Sequence, residues 1–208
     1  MRKKYYEYKV WIFDLDGTLY KQLPVRIEMA MRLIMHYMIR PFKLRELLML
    51  RQYRKMREKP ANDSNFHQQQ IQEMSQRYNM STDEVSRVID YWLIKRPLNV
   101  LKRWQRAKVL STIRKHQTQG TTIIVYSDYP VADKLQALNL QADYEFWSND
   151  DLIKCMKPNP QGLQNIIKHL NLNPQDILYV GDRNDKDGKC AESVGIDYLD
   201  INEFEKLI

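Results

Sequence analysis

Between Gly17 and Gly120 the chain contains no glycine, although six occur in its 208 residues. Helices avoid glycine and loops recruit it, so a gap of this length predicts an all-helical stretch. Its apolar spacing agrees. "VRIEMAMRLIMHYMIRP" is apolar over most of its circumference and ends at Pro41. "FKLRELLMLRQYRKMREKP" puts Leu44, Leu47, Leu48 and Tyr53 on one side and ends at Pro60. "STDEVSRVIDYWLIKRP" opens with Ser81 and Glu84 in capping-box spacing, repeats Val85, Val88, Ile89 and Trp92 at helical intervals, and closes at Pro97. The polar run "EKPANDSNFHQQQ" reads as a loop. Met29, Met31, Met35 and Met38 read as the core of this helical part.

Outside the gap the pattern alternates. Short apolar runs, "KVWIF", "TTIIVYS", "YEFWS", "DILYVGD" and "IDYLDI", alternate with helical segments. Such alternation predicts a parallel sheet covered on both faces, a Rossmann-like three-layer α/β core. The expected division is a core of residues 1–19 and 104–208, interrupted by a helical insertion over 20–103.

Charge follows the same division. The net charge is +7, and Tyr20 to Arg106 holds 18 Lys/Arg against 8 Asp/Glu. The remainder is mildly acidic. A basic insertion attracts phosphates, nucleic acid or anionic lipid, or forms a solvated arginine-rich surface. The N-terminal "MRKKYYEYK" is followed by too short an apolar run for a secretory signal, and no run reaches transmembrane length. Cys155 and Cys190 match no metal-ligand spacing and read as reduced thiols in a cytoplasmic protein. His36, His67, His116 and His169 likewise show no ligand spacing.

In open parallel sheets ligands bind beyond the carboxyl ends of the strands. There the sequence places Asp14 and Asp16 after the first strand and Ser127 and Asp128 after the second. Lys157 precedes a helix, and Gly181, Asp182, Asp185 and Asp187 follow the fourth strand. So many carboxylates repel one another unless a cation joins them, and an oxygen-rich set suits Mg²⁺.

These motifs resemble those of the haloacid dehalogenase (HAD) superfamily. "DLDGT" is similar to its first motif, Ser127 to its second, Lys157 in "MKPNP" to its third and "VGDRNDKD" to its fourth. The insertion falls where that superfamily places a helical cap. The resemblance implies a phosphatase acting on a phosphomonoester through an aspartyl-phosphate. Asp14 is then the nucleophile and Asp16 the general acid and base. Mg²⁺ is held by Asp14, Asp182 and the Asp16 carbonyl, with Asp187 in support and Asp185 competing for that place. The phosphate is bound by Gly17, Thr18, Ser127, Asp128 and Lys157. Family members that dehalogenate lack an aspartate at the position of Asp16. A phosphonatase would need a cap lysine, and Lys21, Lys43, Lys55 and Lys59 are available without one standing out.

A phosphomutase with the same intermediate stays open, as does a non-catalytic protein that uses the basic cap to bind an anion, nucleic acid or partner. The expected substrate is a small phosphorylated molecule, polyanionic or lipid-linked, with peripheral contact to a membrane as a further option and nucleic acid not favoured. The oligomeric state is left open.

Overall fold

The computed structural model describes residues 3–57 and 66–208. Five parallel strands form one sheet in the order β3-β2-β1-β4-β5. They are β1 (Val10–Phe13), β2 (Thr122–Ser127), β3 (Tyr144–Trp147), β4 (Ile177–Gly181) and β5 (Asp197–Asp200). β1 lies at the centre, with Phe13 opposite Val125 of β2 on one side and Val180 of β4 on the other.

All four residues of β1 are buried, and their side chains alternate between two cores. Trp11 and Phe13 join Ile123, Val125, Leu178 and Val180 on one face. On that side lie Leu110 and Ile113 of α6 (Ala107–Thr118), Leu135 of α7 (Ala132–Ala137) and Phe204 of α10 (Ile201–Leu207). Val10 and Ile12 join Ile124, Tyr126, Ile177 and Tyr179 on the other. That face is covered by Leu163 and Ile166 of α8 (Gln161–His169) and by Cys190 and Ala191 of α9 (Lys189–Ser193). A strand apolar on both sides is stable only between two such layers. The fold is therefore the expected three-layer α/β arrangement.

Between β1 and β2 the chain forms α1 (Gln22–Met38), α2 (Leu44–Arg57), α3 (Phe66–Tyr78), α4 (Thr82–Ile89) and α5 (Arg96–Trp104). It leaves and rejoins the sheet region at one place. Tyr20 and Gln105 form an antiparallel bridge, Lys21 N donates to the Trp104 carbonyl at 2.8 Å, and Arg106 N donates to the Leu19 carbonyl at 3.0 Å.

Several sequence expectations need correction. The supposed loop through Gln70 is helical from Phe66, because Phe66, Gln70 and Met74 form a buried stripe; its first part lies outside the described residues. Pro97 does not end a helix. A π turn over Asp90–Lys95 carries the Arg96 amide to the Tyr91 carbonyl, so Pro97 falls in the first turn of α5, where its missing N–H costs nothing. On α2 the buried stripe is Met49, Leu50, Tyr53 and Arg57, while Leu44 and Leu48 are exposed. Of the α1 methionines only Met29 is buried; Met31, Met35 and Met38 are 55, 66 and 75% exposed. The last apolar run splits, because Asp200 caps α10 by accepting from Asn202 N. The Ser81–Glu84 capping box forms as its spacing predicts. Among the described residues no helix is long and apolar enough to cross a membrane.

Candidate active site

The central strand ends by delivering a carboxylate into the crevice between its two neighbours. Asp14 N donates to the Val180 carbonyl at 2.9 Å, which continues the sheet ladder one residue past Phe13. The chain then turns sharply at Gly17, whose φ of +111° a side chain rarely adopts. A β-carbon there would lie 2.0 Å from Asp182 Oδ2, so the turn also needs glycine for space. The turn brings Thr18 back beneath Asp14, where its hydroxyl donates to Asp14 Oδ2 at 3.0 Å.

Lys157 joins the motifs. It is 3% exposed, and its ammonium lies 2.6 Å from Asp14 Oδ1 and 2.6 Å from Asp187 Oδ1. It also reaches the Tyr179 hydroxyl at 3.2 Å. Burial opposes its charge, but Asp14 and Asp187 outweigh burial and hold it well above the usual lysine range. Asp187 further accepts from the Tyr179 hydroxyl at 3.1 Å and from Arg183 N at 3.2 Å.

Asp14, Asp182 and Asp187 each offer a carboxylate oxygen, and these oxygens lie within 4.8 Å of one another. Their mutual repulsion is only partly met. Burial pushes the Asp14 carboxyl up to about 8, with Asp187 and Asp182 adding to the rise and Lys157 opposing it. Burial and Asp187 push Asp182 up to about 6. Three converging oxygens with excess negative charge fit a hard divalent cation. Asp185 is not part of this set. Its side chain is 61% exposed and pairs with Arg183 at 2.7 Å.

Asp16 has a separate environment. Both its oxygens face the ammonium of Lys134, at 2.6 and 2.7 Å, and the Tyr20 hydroxyl donates to Oδ1. Burial alone would raise its pKa, but Lys134 and Tyr20 reverse that and hold it below the usual carboxylate range. Asp14 and Asp16 are therefore opposites, one a carboxyl inclined to take a proton and the other a firmly ionised carboxylate.

Ser127 ends β2 buried, and its oxygen accepts from Tyr129 N at 3.1 Å, which leaves its own proton to donate elsewhere. Asp128, expected at the phosphate, spends its carboxylate on the Lys157 amide at 3.0 Å and on Lys186 Nζ at 3.5 Å. Its carbonyl accepts from Ser148 Oγ at 2.7 Å and from the guanidinium of Arg57. Arg57, at the end of α2, is thus buried against the sheet domain, with its guanidinium 4.7 Å from the Tyr129 ring centre.

One cavity is lined by Asp14, Asp16, Ser127, Lys157, Asp182 and Asp187 from below. From above it is lined by Val25, Arg26, Met29, Arg54 and Trp92 of the helical insertion. The family model for haloacid dehalogenase-like hydrolases matches residues 11–201. The chain belongs to that family.

Solved structures of other HAD-fold proteins share this architecture. The 2-haloacid dehalogenase from Pseudomonas syringae pv. Tomato is 17% identical, with a TM-score of 0.64 over 92% of this chain and 85% of that one. The HAD-hydrolase YfnB from Bacillus subtilis, solved with magnesium bound, is 14% identical, with a TM-score of 0.58 over 92% and 87%. A HAD phosphatase from Thermococcus onnurineus is 17% identical, with a TM-score of 0.52 over 91% and 84%. Curated protein sequences give no match. At these identities the likeness shows the HAD fold, and both dehalogenases and phosphatases carry it.

Sequence reasoning missed Lys134, the Tyr20 hydroxyl and Arg57. Tyr20 had a faint signal, standing four residues after Asp16. Lys134 had a weaker one, on the helix that follows β2 at the sheet's carboxyl edge.

Proposed function

We propose that this HAD-family hydrolase is a Mg²⁺-dependent phosphatase of phosphomonoesters. The observation that carries the reading is Asp16, an ionisable group in the cavity two residues from the nucleophile position and set apart from it electrostatically. Halide leaves as a stable anion and needs no proton. An alkoxide leaving group needs one, and the water that later attacks must lose one. Only the second kind of reaction gives Asp16 a leaving group to protonate.

Asp14 attacks phosphorus, and the bond to the leaving oxygen breaks as Asp16 supplies that oxygen with a proton. Asp16 then takes a proton from water, the water oxygen attacks phosphorus, and the bond to Asp14 breaks. The ionised form held by Lys134 and Tyr20 is the one this second half requires; the first half requires Asp16 to have taken up a proton. Lys157 orients Asp14 and offsets its charge. Thr18 fixes the other Asp14 oxygen. Ser127 donates to a phosphoryl oxygen, and the Gly17 turn lets the backbone approach it. Asp128 acts one step back, by holding Lys157 and Lys186. Asp14, Asp182, Asp187 and the Asp16 carbonyl would hold Mg²⁺, which when bound neutralises charge on the phosphoryl group. That YfnB, which shares this fold, was solved bound to magnesium supports the choice of cation.

The test is phosphate release from p-nitrophenyl phosphate with and without Mg²⁺, alongside chloride release from 2-chloropropionate. Phosphate release that needs Mg²⁺ and is abolished in Asp14→Asn is expected. Asp16→Asn should lose roughly 10²–10⁴-fold on an alkyl phosphate, whose leaving group depends on the proton. Chloride release without phosphate release would overturn the reading.

A further inference from the structure

The cavity's two walls differ in how their charges are matched. On the sheet side each cation has a carboxylate partner. Lys157 faces Asp14 and Asp187, Lys134 faces Asp16, Lys186 faces Asp128 and Arg183 faces Asp185. Four cations of the helical insertion are matched too. Arg32 and Arg103 share Glu28, Lys43 pairs with Glu46, and Lys95 pairs with Asp90. Arg57 is consumed by the Asp128 carbonyl and Ser148.

Arg26 and Arg54 are different. Both line the cavity, one from α1 and one from α2, and among the described residues neither has an acidic partner. Arg26 is close enough to the Tyr20 hydroxyl for its charge to act there. Beside the two arginines the same wall is apolar, with Val25, Met29, Leu33 and Trp92. The two arginines therefore share the cavity with the aspartates and stand on a wall that also offers apolar side chains.

We propose that Arg26 and Arg54 form a second anion subsite. Resting on the phosphatase reading, this makes the preferred substrate a phosphomonoester whose leaving group carries a second anionic group, a carboxylate or a phosphate, beyond an apolar spacer. Guanidinium is suited to this because it grips such groups through paired, charge-assisted hydrogen bonds.

The experiment compares phenylphosphonate with 4-phosphonobenzoate, which are not hydrolysed and differ only in a carboxylate at the far end of one ring. Binding to the full-length protein with Mg²⁺ is measured by calorimetry. The carboxylate should tighten binding at least about tenfold, the worth of one good charged hydrogen bond. In the Arg26→Gln, Arg54→Gln double variant that ratio should fall to about two or less. An Arg40→Gln, Lys43→Gln variant, altered at exposed positions that do not line the cavity, controls for the general basic field and should keep the wild-type ratio. Thermal melts establish that each variant is folded.

A wild-type ratio near one overturns the subsite and means the arginines serve the phosphoryl group or nothing. A ratio that survives the double variant overturns the assignment to these residues. Phenyl phosphate turnover is read in parallel. A preserved binding ratio without turnover supports the subsite and counts against the phosphatase reading alone.

Discussion

Lys134 Nζ sits between the two carboxylate oxygens of Asp16, 2.6 Å from one and 2.7 Å from the other. The side chains are 6 and 13% exposed, so this is an ion pair largely removed from water. Losing one partner of such a pair leaves the other charged and poorly solvated. Lys134→Met should cost about 3 kcal/mol of stability at pH 8. The cost should shrink near pH 5. In the wild type the lowered Asp16 pKa contributes stability that is present above the unfolded value and lost as pH falls. Without Lys134, burial dominates and the pKa rises, so the variant is penalised more as pH increases. Urea unfolding at both pH values checks this, and an equal loss at both would refute it.

The raised carboxyls give a second pH dependence of opposite sign. Asp14 is pushed up to about 8 and Asp182 to about 6, both above the ordinary 3.8. Stability from these groups is complete below about pH 4 and declines as pH rises through 6 and 8. A bound cation removes that decline, since it stabilises the ionised forms. Thermal melts should therefore show a larger Mg²⁺-induced rise in Tm at pH 8 than at pH 5. A rise independent of pH would mean that the cation binds elsewhere.

Gly17→Ala tests the turn that packs the first motif against the fourth. The new methyl group would meet Asp182 Oδ2 at 2.0 Å, at a φ of +111° that strains any side chain. Either Asp182 or the turn must move. The expected result is at least a tenfold weaker apparent affinity for Mg²⁺, read from the metal-dependent Tm shift, with phosphatase activity falling in step. Gly120→Ala is the control: its φ is +95°, but no atom lies within 4 Å of the added carbon. It should lose some stability and no metal affinity.

Arg57→Met tests the tie between α2 and the sheet domain. The arginine donates to the Asp128 carbonyl and packs against Tyr129 and Phe66. Methionine keeps some of the packing and removes the donors, leaving that carbonyl with Ser148 alone. A stability loss of about 2 kcal/mol is expected from denaturant unfolding, with faster proteolysis after α2. Unchanged proteolysis would show that packing alone holds α2 in place.

The parallel sheet, the helical insertion after its first strand and the grouping of Asp14, Lys157, Asp182 and Asp187 at its carboxyl edge were legible in the sequence because they follow from local rules. Apolar runs set the strands, the rule for parallel sheets sets which ends carry the site, and the motif spacing sets what stands there. The choice between Asp185 and Asp187 was not legible. It depends on the π turn over Asn184–Gly188, which turns Asp187 inward and leaves Asp185 with Arg183. Lys134 and Arg57 were hidden for a related reason. A lysine or arginine on a helix is solvated by default, and only the fold shows that a buried carboxylate or carbonyl waits opposite. The exposed Met31, Met35 and Met38 show the limit of composition, which reports what a helix can bury and not what packs against it.

The bridge at Tyr20 and Gln105 carries one more implication. Since Leu19 and Arg106 are already joined by a backbone hydrogen bond of 3.0 Å, the sheet domain sees the whole insertion as a single closed loop. Closing a loop costs little more when it is long than when it is short. The length of that loop is therefore nearly a free variable for the strands below it. A foreign helical segment grafted between Tyr20 and Gln105 would then leave the strands and Asp14 where they are, provided it too supplies a donor for the Asp128 carbonyl.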